Sequence, residues 1–157
     1  MVTYDFAQIC PNGHVANAHA ATCPENNQEF CDRCGEKTIT ECLACKQPIR
    51  GRPLNDPGGY RYQPPAFCHN CGNAFSWTER KQRAAIDLFR EENQSSEDQR
   101  EFQQSVEQIA KDSPEAQAAS KKIVRLLKHA GKQTAKAIRD ILVDIAGEAA
   151  KRTLLGR

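Results

Sequence analysis

Six of the chain's eight cysteines stand in three Cys-x-x-Cys pairs, Cys31/Cys34, Cys42/Cys45 and Cys68/Cys71, and Cys10-x-x-x-His14 forms a fourth pair upstream. Two soft ligands a few residues apart can grip one ion from a tight turn. Four such pairs suit two tetrahedral zinc sites. Residues 1–75 are otherwise rich in Pro and Gly and poor in long apolar side chains. A segment of that makeup buries too little surface to fold unaided, so a cross-link or a metal must supply the difference. The opening Met1-Val2-Thr3-Tyr4-Asp5-Phe6 lacks the basic-then-apolar pattern of a signal peptide. No apolar run approaches the roughly 18 residues that span a membrane. The expectation is a cytoplasmic protein whose cysteines hold two structural zinc ions rather than disulfides.

Pairing the ligands is harder than counting them. In sequential ribbons, Cys10, His14, Cys31 and Cys34 bind one ion and Cys42, Cys45, Cys68 and Cys71 the other. The half-sites are then separated by 16 and 22 residues, room for short strands and a returning loop. In a cross-braced arrangement the first and third pairs share one ion and the second and fourth the other. Only seven residues separate Cys34 from Cys42, and they include the β-favouring Thr38-Ile39-Thr40. That favours the sequential order without excluding the other. Cys23 competes with His14 for the first site, although Cys10-x12-Cys23 has no local turn to bring the two together. Gly35 and Gly72 follow their pairs, and Gly13 lies within its own, where a Cβ would obstruct the turn; Lys46 stands where a glycine is expected.

Catalytic zinc keeps an open position and a nearby base. Here four protein ligands fill each expected site. There is no His-Glu-x-x-His helix, Gly-rich phosphate loop or deaminase pattern, and neither His19 nor His69 has a companion motif. The loop from Lys46 to Phe67 carries Arg50, Arg52, Tyr60, Arg61 and Tyr62, which suit base stacking. Alternation of Tyr60 and Tyr62 favours packing in a small core over that role.

From Ser76 the pattern turns helical. Ser76-Trp77-Thr78-Glu79 matches a capping box, opening a helix to about Glu91 with Trp77, Arg80, Ala84, Ala85, Leu88 and Phe89 on a stripe. A second helix is expected over Glu97–Lys111, then a third from Pro114, with Ser113 as cap, to Gly131. A fourth carries Ala135, Ile138, Ile141, Leu142, Ile145, Ala146 and Ala149, so that the last two form one continuous apolar band. Charge divides along the chain: residues 76–112 have six basic and nine acidic side chains, and residues 113–157 have ten and four. The fold class expected is a small metal-stabilised α+β chain: a tandem ribbon domain over 1–75, connecting helices over 76–112, and a basic amphipathic helical hairpin or small bundle over 113–157.

Ile9-Cys10-Pro11-Asn12-Gly13-His14-Val15, Phe30-Cys31-Asp32-Arg33-Cys34-Gly35, Thr38-Ile39-Thr40-Glu41-Cys42-Leu43-Ala44-Cys45, Ile49-Arg50-Gly51 and Cys68-His69-Asn70-Cys71-Gly72, followed by Trp77-Thr78-Glu79, together resemble a family of uncharacterised bacterial double zinc-ribbon proteins. The resemblance covers most of residues 9–79 and extends faintly to Ile138–Ile145. It implies His14, within a Cys-x-x-Gly-His motif, as the ligand over Cys23. It implies no activity.

The function expected is that of a non-enzymatic zinc-binding adaptor, with ribbons presenting a rigid surface and residues 113–157 self-associating or docking on a protein partner. Asp140, Asp144 and Glu148 on the last helix weigh against membrane contact. A nucleic-acid-binding protein is the alternative, using Arg50, Arg52 and Arg61 with Lys121, Lys122, Arg125, Lys128, Lys132 and Lys136. A subunit of a larger enzyme complex is the third reading.

Overall fold

The computed structural model describes residues 1–59 and 61–157. Tyr60, one of the two alternating tyrosines, lies outside them. The chain divides into two compact units, Met1–Thr78 and Glu79–Arg157.

In the first unit, β1 (Tyr4–Phe6) pairs antiparallel with β4 (Arg50–Pro53), and β2 (Gln8–Ile9) pairs antiparallel with β3 (Val15–Asn17). The strands are two to four residues long, and single bridges extend them. Ile9 and Ile39 exchange backbone hydrogen bonds of 2.9 and 2.8 Å. Thus Thr38-Ile39-Thr40 joins the start of the chain to its second Cys-x-x-Cys segment. Ala7, Ile9, Ile49, Phe75 and Trp77 gather with Cys42 and Cys68 in a small core. Phe75 and Trp77 stack at 4.5 Å, and the Trp77 indole donates to the Pro65 carbonyl at 2.9 Å. Tyr62 packs against this core, its hydroxyl donating to the Arg50 carbonyl, but it does so from a loop and not from a strand.

Asp5 ties β1 to the segment at Ala21 and Thr22. Its carboxylate accepts from the N–H groups of Phe6, Ala21 and Thr22 and from the Thr22 hydroxyl, at 2.6–3.2 Å. Burial alone would raise its pKa, but the Thr22 hydroxyl and the backbone N–H groups outweigh burial and hold it below the ordinary carboxylate value. A carboxyl depressed on folding stabilises above its unfolded pKa, and that contribution is lost as the pH falls through the lowered native value. Asp5→Asn would set an amide N–H against donors, costing about 2–3 kcal/mol of stability. It would also remove this part of the acid dependence. Urea unfolding of the metal-loaded protein at two pH values measures both.

The second unit is helical. Residues from α1 (Ser76–Arg90), which begins in the first unit, continue into α2 (Ser96–Ile109), α3 (Pro114–Leu127), α4 (Lys132–Val143) and α5 (Glu148–Leu154). Ser76 lies inside the first turn of α1, and its hydroxyl donates to the Pro11 carbonyl at 3.1 Å, so it anchors the helix start to the Cys10 turn. The buried stripe of α1 in this unit is Ala85 and Phe89; Arg80 and Ala84, expected on it, are exposed. Ser95 caps α2 by accepting from Asp98 N, and Pro114 opens α3 after Ser113. The expected last helix is two: α4 ends at Val143, the Gly147 N–H donates to the Ile109 carbonyl at 3.1 Å, and α5 restarts at Glu148.

One core joins α1 and α2 to α3–α5, through Phe89, Phe102, Val106, Ile109, Ile123, Leu127, Ile138, Leu142 and Leu154 among others. The apolar band read from residues 113–157 is thus filled from within the chain. Leu155 is the one large apolar side chain exposed among the described residues of this unit. Phe102 is fully buried and stacks on Phe89 at 4.1 Å. Phe102→Ala is expected to cost about 3–5 kcal/mol through lost burial and a residual cavity. Helical CD during urea unfolding would show it; a loss under about 1 kcal/mol would contradict this packing.

Candidate metal centres

The three Cys-x-x-Cys segments fold into the same turn. The N–H of the residue after each pair returns to the first cysteine's carbonyl: Gly35 to Cys31, Lys46 to Cys42 and Gly72 to Cys68, at 2.8–2.9 Å. A bridge closes each turn outside the cysteines, Phe30 with Lys37, Glu41 with Pro48 and Phe67 with Ala74. The position after the pair has positive φ, 77° at Gly35, 76° at Gly72 and 65° at Lys46. Lysine at that left-handed position carries a steric cost that glycine avoids. Lys46→Gly is therefore expected to stabilise the metal-loaded first unit by roughly 0.5–1 kcal/mol, read from the urea midpoint. An unchanged midpoint would contradict strain at Lys46. The Cys10 turn differs by one residue: Gly13 N donates to the Cys10 carbonyl at 2.9 Å, and the Cys10 sulfur accepts from His14 N at 3.4 Å.

These turns bring the expected ligands together in sequential order. Ligand atoms of Cys10, His14, Cys31 and Cys34 lie within 4.8 Å of one another, as do those of Cys42, Cys45, Cys68 and Cys71. The cross-braced sets are not the ones gathered. All eight cysteines are free thiols. Sγ–Sγ separations are 3.7 Å for Cys34–Cys10, 3.8 Å for Cys42–Cys71 and 3.6 Å for Cys45–Cys68. Those values far exceed the roughly 2.05 Å of a disulfide. Four sulfurs placed about 2.3 Å from a common ion at tetrahedral angles would be about 3.8 Å apart, and a sulfur and an imidazole nitrogen about 3.5 Å. His14 Nδ1 lies 3.5 Å from Cys31 Sγ. Both clusters could hold a metal ion. In each, two cysteines are buried and one, Cys34 or Cys71, is exposed.

Electrostatics favour a cation in both. The Glu36 N–H, aided by the Asn12 amide, lowers the Cys34 thiol to about 6, and the Gln47 N–H lowers Cys45 to about 6. Burial pushes Cys10 up to about 11, with Cys34 and Cys31 adding to it. At Cys71 the Asn73 N–H lowers the pKa, but desolvation and the thiols of Cys45, Cys68 and Cys42 prevail, giving about 11. One thiolate forms readily in each cluster and crowds the next; a bound divalent cation removes that repulsion.

Cys23 belongs to neither cluster. It precedes a short 3₁₀ turn (Pro24–Asn26), and its carbonyl accepts from the Asn17 amide at 2.9 Å. His19 Nδ1 faces Asp5 Oδ2 at 3.8 Å, and His69 is exposed on the Cys68–Cys71 turn. Nothing in the sequence marks Gly51, yet a Cβ there would lie 2.4 Å from the Ala18 carbonyl oxygen, because β1, β4 and the segment after β3 converge at it.

The fold and its two clusters define a small α+β protein with two Cys/His sites able to hold metal. The chain belongs to the family described as an uncharacterized protein conserved in bacteria (DUF2321), whose model matches residues 3–154. No curated protein and no solved structure matches it.

Proposed function

We propose that the chain is a non-catalytic, zinc-binding recognition module, in which two structural zinc ions fix the shape of the first unit and that unit binds a protein partner. Sulfur spacings of 3.6–3.8 Å, matching a tetrahedron of metal–sulfur bonds, are the observation that carries the metal reading. Tetrahedral sulfur and imidazole donors favour zinc among the common divalent ions. Four protein ligands at each ion leave no position for a reacting water, which suits a structural role. Cys10, His14, Cys31 and Cys34 would hold one ion and Cys42, Cys45, Cys68 and Cys71 the other.

Recognition is assigned to the first unit because exposed large apolar side chains concentrate there. Met1, Val2, Tyr4, Val15, Phe30, Leu43 and Leu54 are exposed in it, against Leu155 in the second. Apolar side chains exposed side by side mark interaction surfaces, and Met1, Val2, Tyr4 and Leu54 border one groove. Self-association through residues 113–157 has less support, since their apolar side chains already pack within the chain. Affinity capture from the native cell tests the reading. The wild-type chain should recover a partner in stoichiometric yield, and a Phe30→Ser/Leu43→Ser/Leu54→Ser variant should lose it. Equal recovery by both, or none by either, would overturn it.

Nucleic-acid binding has one observation in its favour: Lys121, Lys122, Lys128 and Lys132 are exposed, and among the described residues none of them pairs with a carboxylate. If they contact phosphates, log affinity should fall with log salt by about 0.9 per contact. Absence of DNA or RNA binding at low salt would reject it.

A further inference from the structure

Four of the exposed apolar side chains, Met1, Val2, Tyr4 and Leu54, border one open groove on the first unit. Its volume is about 430 Å³, within the roughly 300–1,000 Å³ of ligand-binding clefts. Ile49, only 1% exposed, lies deep in it, and His69 contributes to its lining from the Cys68–Cys71 turn. Besides His69, one acidic and one basic side chain line the groove, Asp5 and Arg50. The Asp5 carboxylate is spent on four hydrogen bonds inside the unit. Arg50 is exposed, and its guanidinium lies over the Tyr4 ring, 4.5 Å from the centroid. Stacking uses the face of the guanidinium and leaves its N–H edge able to grip a carboxylate with two parallel hydrogen bonds. The groove therefore offers apolar walls and one oriented positive charge.

We infer that this groove docks an extended peptide segment of a partner protein, which sets apolar side chains against Val2, Tyr4, Leu54 and Ile49 and an Asp or Glu carboxylate on Arg50. Charge complementarity selects the acidic residue, and the apolar lining selects its neighbours. The inference rests on the reading of the first unit as a metal-held recognition module, because the His69 wall belongs to a cysteine turn. Arg50→Gln should remove the preference for the acid while the apolar contacts remain. Leu54→Ser should weaken every peptide that binds.

The test uses zinc-loaded full-length chain and libraries of end-blocked nonapeptides. One library mixes Leu, Ile, Val and Phe with Asp and Glu at the central positions. Matched libraries replace the acids by Asn and Gln, replace them by Lys and Arg, or replace the apolar residues by Ser. The apolar–acidic library should be retained at least tenfold better than each of the others. Leu54→Ser, or Val2→Ser if that variant fails to fold, should lower retention at least tenfold with zinc content and CD unchanged. Arg50→Gln should equalise acid and amide libraries, and Arg50→Lys should restore part of the preference. Retention that ignores these substitutions overturns the groove, as does binding only to phosphatidylserine vesicles. Loss on Phe30→Ser but not on Leu54→Ser also overturns the groove while leaving recognition by the first unit standing. A chain with two zinc ions that enriches no library, and captures nothing from the cell, removes both readings.

Discussion

Chelation at neutral pH is expected to unfold residues 1–78 while residues 79–157 stay helical. The first unit's core has four large apolar members, Ile9, Ile49, Phe75 and Trp77, eked out by Ala7, Cys42 and Cys68. The second has a long series of Leu, Ile, Val and Phe, and both candidate metal clusters found among the described residues lie outside it. Structural zinc contributes about 10–16 kcal/mol of apparent binding energy in small zinc-folded peptides at neutral pH, comparable with the whole net stability of a domain, about 5–15 kcal/mol. Trp77 is the chain's single tryptophan and is 3% exposed. Its fluorescence should shift to the red on chelation, while the far-ultraviolet helical signal largely persists. Cys42→Ser should act in the same direction, since Cys42 is both a cluster member and a core residue, 4% exposed. Acidification should too: thiolates must be deprotonated to bind the ion, so affinity falls as the pH falls. A Trp77 spectrum indifferent to chelator would contradict the expectation.

Gly51→Ala is expected to be the most damaging single methyl group in the first unit. A Cβ there would lie 2.4 Å from the Ala18 carbonyl oxygen and 2.8 and 2.9 Å from the Phe6 carbonyl carbon and oxygen. All three are backbone atoms, and both carbonyls are already hydrogen-bonded, Ala18 O to Arg52 N and Phe6 O to Ala20 N. No side chain can swing aside, so β4 must separate from β1 or from the segment after β3. The cost should reach about 3 kcal/mol, the upper part of the overpacking range. Gly58→Ala is the control. Its φ is +83° but nothing lies within 4 Å of the added carbon, so only the conformational cost of about 1–2 kcal/mol applies. Urea unfolding of both metal-loaded variants, followed at Trp77, gives the comparison; equal losses would contradict the close approach at Gly51.

The sulfur clusters were legible because ligand spacing is a local property. Each Cys-x-x-Cys turn needs only its own residues, and the short span from Cys34 to Cys42 favoured the sequential order that the structure gathers. Lys46 shows the limit of that reasoning, for the turn tolerates a lysine at positive φ where glycine was expected. In the helices, periodicity located α2 and α3 to within a few residues. It ran α4 and α5 together, because apolar steps continue through Ile145 and Ala146 although the chain leaves the helix after Val143 and Gly147 meets the Ile109 carbonyl. It also left open what the apolar band would face. Periodicity reports that a side is apolar; only the packing of Phe89, Phe102 and Val106 against the later helices shows that the chain covers it itself. Gly51 carried no signal at all, since nothing in Ile49-Arg50-Gly51 names the backbone that will press against it.

The account stands on metal at the two clusters, and native mass spectrometry of the full chain, purified under reducing conditions without chelator, tests it most directly. The predicted result is a mass two zinc ions above that of the polypeptide, falling by two when Cys34, Cys45, Cys68 and Cys71 are replaced by Ser. A chain with no bound metal, whose Trp77 is still buried, would contradict it.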